Sequence, residues 1–132
     1  MTINSGPIAA ARADLAAILA AITSIPVVTT IPERLAPPCA VITEATPLLA
    51  SDETSYGSIT VRLGITVAVA PTTNALAVAR LDEAVDTIVV GLVRAGLPVA
   101  VDAYSSVTSA DSQAYLAATI TTTLTYTIGK DQ

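Results

Sequence analysis

Period-two alternation is strongest over residues 58–70. There Ile59, Val61, Leu63, Ile65, Val67 and Val69 fall on one side of an extended chain, and Thr60, Arg62, Gly64, Thr66 and Ala68 on the other. This predicts a strand with one face against a core and one face small or polar. A second alternating run, 115–129, gathers Leu116, Ala118, Ile120, Thr122, Leu124, Tyr126 and Ile128 on one face. It sets Tyr115, Ala117, Thr119, Thr121, Thr123, Thr125 and Thr127 on the other. That threonine ladder reads equally well as a solvated sheet face and as a lining or packing surface in an oligomer. Residues 39–45 read as a further strand, 97–104 as a short one, and Val27 and Val28 as a short edge strand. Pro32, Pro37 and Pro38 exclude a central strand between them.

Elsewhere the period changes to that of a helix. Ile8, Ala11, Leu15, Ile18 and Ile22 recur at spacings of three and four and predict a helix over 7–23, with Ser5 as its cap, Pro7 in its first turn and Pro26 at its end. Val78, Leu81, Val85, Ile88 and Leu92 predict a second helix over 74–95, capped by Thr73 or Asn74 and closed by Gly96. Residues 46–58 carry no apolar period and read as a long exposed loop or the tip of an extended hairpin; 105–114 read as a polar loop. The order helix, strands, helix, strands predicts an α+β fold: a mainly antiparallel mixed sheet with both helices on one face. The 132 residues make a single domain, 1–132, long enough to bury a core without disulfides or metal.

Composition sharpens this picture. The chain is 52% hydrophobic but only 13% charged, against roughly 25% in an average globular domain. Much of its surface is therefore neutral Ala, Thr and Ser, which protects poorly against association. Either the core is large for the domain, or neighbouring subunits cover part of the surface. The net charge is −5, and the cations Arg12, Arg34, Arg62, Arg80, Arg94 and Lys130 are scattered and never adjacent. That pattern lacks the clustered positive charge that displaces counterions from DNA. The single Cys39 reads as a small buried hydrophobe. The uncharged stretch 15–32 is interrupted by Pro26 and Pro32, so no segment reads as membrane-spanning.

Candidate chemistry is sparse. Histidine is absent, the one lysine is Lys130, and the six glycines are dispersed. Asp52 and Glu53, and Asp82 and Glu83, are sequence neighbours, and Asp86 lies one helical turn from Asp82, but nothing converges on them from other elements. The expectation is no catalytic, cofactor-binding or metal site, and no enzymatic activity.

Four segments carry a resemblance: IPERLAPPCAVITEATPLL (31–49), YGSITVRLGITVAVA (56–70), TTNALAVARLDEAVDTIVVGLVRAG (72–96) and AYLAATITTTLTYTI (114–128). Over nearly the whole chain the sequence resembles the tail terminator proteins of long-tailed, siphovirus-type phages that infect actinobacteria. The resemblance implies a structural virion protein, assembled in the host cytoplasm, that forms a hexameric ring in the neck. Such a ring caps the tail tube, stops its polymerisation and offers the head-joining surface. The implied partners are other copies of the chain, the major tail tube protein and the head–tail connector and stopper proteins, with DNA passing through the lumen unbound. A connector or stopper, a tube subunit and, from a different class, a monomeric ligand-binding domain are the alternatives. In such a ring, Leu48, Leu49, Asp52, Glu53 and Tyr56 are the candidate docking residues. Asp102 and Asp111, with Asp52 and Glu53, are the candidate lumen carboxylates.

The charge pattern yields a first prediction. The isolated protein should show no measurable change in the fluorescence anisotropy of labelled duplex DNA at physiological salt. Saturable binding that weakens steeply with added salt would contradict it.

Overall fold

The computed structural model describes residues 2–3, 6–28, 38–51, 57–69, 74–108 and 114–128. Strand β1 (Thr2–Ile3) precedes helix α1 (Pro7–Ile22); β2 (Val27–Val28), β3 (Cys39–Ser51) and β4 (Ser58–Val69) follow. Helix α2 (Asn74–Arg94) then leads to β5 (Val99–Val101), β6 (Ser105–Thr108) and β7 (Ala114–Ile128). The strands form one mixed sheet in the order β1-β7-β4-β3-β2, with β5 and β6 also paired to β7. Only β1 with β7 and β2 with β3 are parallel; every other pair is antiparallel. This is the α+β class that the alternation predicts.

At the centre, β4 pairs with β7 without interruption from Ser58↔Thr127 to Val69↔Leu116. The opposite edge of β7 is shared by β1, β5 and β6, whose partners on it lie at 127–128, 120–122 and 114–117. The face read as apolar is the buried one. Val61, Leu63, Ile65 and Val67 are fully buried, as are Ile120 and Ala40, and Leu124 and Tyr126 nearly so. Both helices cover this face and share one core with it.

Helix α1 starts at Pro7, whose missing N–H costs nothing in the first turn. Its cap differs from expectation. The N-cap position is Gly6 and no side chain caps the helix; Ser5 lies outside the described residues. The helix ends at Thr23, which turns extended while its N–H still bonds to the Leu19 carbonyl at 3.0 Å. The most deeply buried row is Ala11, Leu15 and Leu19, whereas Ile8, Ile18 and Ile22 are half-buried. An alanine-rich helix is apolar nearly all round, so its sequence period does not single out the face that packs.

Helix α2 buries Ala77, Leu81, Ala84, Val85, Ile88 and Leu92. Val78, expected in the stripe, is 41% exposed. The sheet-facing row instead takes Ala77 and Ala84, whose short side chains let the helix lie close, and this turns Val78 outward. The helix closes as expected at Gly96, which has φ +84°. Its N–H bonds to the Val93 carbonyl and that of Leu97 to the Leu92 carbonyl, both at 3.0 Å, which is a Schellman ending. Near that end Gly91 lets α1 approach: a Cβ there would stand 2.6 Å from three atoms of Ile22.

Four stretches differ from the sequence reading. Residues 46–51 are strand rather than loop, because β3 continues to Ser51 against β4. The register shifts between Glu44 and Leu49, around Pro47, which has no N–H to give a ladder. That irregularity erases the period-two signal. Residues 105–114, read as a loop, contain β6, a polar edge strand. The run 97–104 supplies strand only at Val99–Val101, and β1 was not expected at all.

A carboxylate placed in this core has no partner. Leu63→Asp or Val85→Asp should therefore unfold the domain, since an unpaired buried charge costs several kcal/mol. Thermal unfolding followed by circular dichroism checks this, and an unchanged midpoint in either variant would contradict the core assignment.

Candidate interaction surfaces

Polar side chains at the edge of the core tie both helices to the sheet and its connections. The Tyr126 hydroxyl, on a residue only 1% exposed, donates to Asp14 Oδ2 of α1 at 2.7 Å. Tyr104, between β5 and β6, donates to Asp82 Oδ1 of α2. Arg12 of α1 pairs with Glu44 of β3 at 2.9 Å, although its buried Nε has no partner. Thr122 is the one buried polar residue among those described, and its hydroxyl donates to the Pro98 carbonyl at 2.8 Å. These bonds satisfy polar groups at the edge of the core and explain why α1 and α2 can carry acids on sides that touch protein. The sequence reading did not pair them. The available signal was that tyrosine is the chain's only aromatic, and a buried tyrosine hydroxyl needs an acceptor.

Both tyrosines are held neutral. Burial, then the bond to Asp82, then the charges of Asp82 and Asp86 push Tyr104 up to about 12. Burial first and Asp14 second raise Tyr126 above its ordinary value.

Of the candidate docking and lumen residues, Leu48, Leu49 and Asp102 are described. Leu48 is half-buried in β3 and packs against the main core, while Leu49, two-fifths exposed, belongs to the same strand. They are strand residues, not loop residues. Asp102 is exposed in the turn between β5 and β6, its N–H donating to the Thr119 carbonyl at 3.1 Å. Asp52, Glu53, Tyr56 and Asp111 lie outside the described residues. Among the described residues no group of three His, Cys, Asp or Glu could hold a metal ion. No described helix is long and apolar enough to cross a membrane.

Two broad surfaces remain. The first is the sheet face opposite the helices. One end of it is closed by a second buried cluster of Cys39, Val41, Ala68, Tyr115 and Ala117. The rest is paved by Thr43, Thr60, Thr66, Thr119, Thr121 and Thr123, all half-buried. Register places Thr43, Gly64 and Thr121 in one row. Gly64 keeps that row low, since a Cβ there would stand 2.7 Å from Thr43 Oγ1. Arg62 is the one charged side chain among the described residues of this face, and its Nη1 donates to the Thr46 carbonyl at 2.9 Å.

The second surface is the outer side of α2. Leu76, Val78, Val90 and Val93 are 41–56% exposed there, around the exposed carboxylates Asp82, Glu83 and Asp86. Arg80 and Arg94 lie on the flank toward α1. Arg80 and Glu83 line one cleft with Ile22, of about 440 Å³, and Asp86, Val90 and Arg94 line a second with Ile22, of about 650 Å³, so acids and arginines alternate along this flank.

No protein-family model matches this chain, and no curated protein matches it.

The neutral tyrosines set a pH dependence. In the folded state their protonated forms are favoured, while in the unfolded chain they lose a proton near pH ~10. Their contribution is thus fully present below about pH 10 and falls as pH rises above it, being lost through about 12 for Tyr104 and at still higher pH for Tyr126. Tyr126→Phe should cost about 1–2 kcal/mol at neutral pH and flatten the alkaline fall. Urea midpoints from pH 7 to 12 measure both, and a variant with the wild-type midpoint and slope would contradict the role given to the Tyr126–Asp14 bond.

Proposed function

We propose that this chain is a structural subunit of a phage tail: a tail terminator whose copies close a hexameric ring on the last ring of tube subunits. The ring halts tube growth and gives the head connector a surface to join. One observation carries this reading beyond the sequence resemblance. The described residues present two broad, unlike surfaces on opposite sides, the threonine face of the sheet, with Arg62 as its one charged side chain, and the charged outer side of α2 with its exposed leucine and valines. Ring closure by rotation uses a heterologous contact, in which one patch of a subunit meets a different patch of the next. A monomer that bound a small ligand would instead concentrate convergent polar groups in one enclosed pocket.

The net charge of −5 suits a lumen through which DNA slides. Length control follows from two unlike ends: one end matches the tube's terminal ring, while the other refuses a further tube subunit.

Polymerising purified tube subunits with and without this protein tests the reading. A terminator shortens the tubes in proportion to its concentration and sits at one end only. Incorporation along the whole tube would identify a tube subunit, and binding to the head portal complex without any effect on tubes would identify a connector.

A further inference from the structure

We draw no further inference here: the strongest candidate, the pair of clefts on either side of Ile22 between the end of α1 and the flank of α2, is lined by exposed side chains of both charges, Arg80 with Glu83 in one and Asp86 with Arg94 in the other, and nothing in the structure shows what covers it.

Discussion

The structure depends on the register between β4 and β7. These two strands pair continuously from Ser58↔Thr127 to Val69↔Leu116, and both present apolar side chains to one face and threonines to the other. Because side chains alternate with period two, a slip of one residue would send Leu63, Ile65 and Ile120 to the open face and threonines beneath the helices. The helices hold the register from one side: Leu15, Leu19, Leu81, Ile88 and Leu92 are fully buried against the same face. The Tyr126 hydroxyl adds a directional tie, since it meets Asp14 only when β7 presents Tyr126 toward α1. The remaining strands attach to this pair: β3 to β4, and β1, β5 and β6 to β7.

The same register explains what could be read from the chain. Long, regularly alternating β4 and β7 were legible almost to the residue, and so were the bounds of both helices, which Pro7 and Gly96 help to mark. Legibility failed where a local feature breaks the period. The register shift between Glu44 and Leu49 hid the second half of β3. Polar edge strands such as β6 bury too little to leave a pattern. On α2, the choice of Ala77 over Val78 as a buried residue is set by how closely the helix approaches the sheet, which no propensity records. Of the candidate site, the threonine face and its lone Arg62 were visible as one side of an alternating strand. On the outer side of α2 the sequence shows the charges of Asp82, Glu83 and Asp86 but not the exposure of Val78, Val90 and Val93. Leu48 and Leu49 were placed in a loop for the same reason that β3 was cut short.

Among the described residues the polar contacts of Tyr126 with Asp14, Tyr104 with Asp82 and Arg12 with Glu44 join element to element. The two unlike faces, one paved with threonine and one charged with exposed valines, are the features from which a head-to-tail assembly can be built. A ring at the end of a tail tube is the assembly that the sequence resemblance implies.

The central claim is that the chain caps a tube as a ring. The most direct measurement is the number and position of copies on preformed tubes: fluorescently labelled protein is added, and single tubes are imaged and bleached stepwise. The account predicts a hexameric complement at one end of each tube and none along its length. Label distributed along the tube, or tubes with no label at either end, would contradict it.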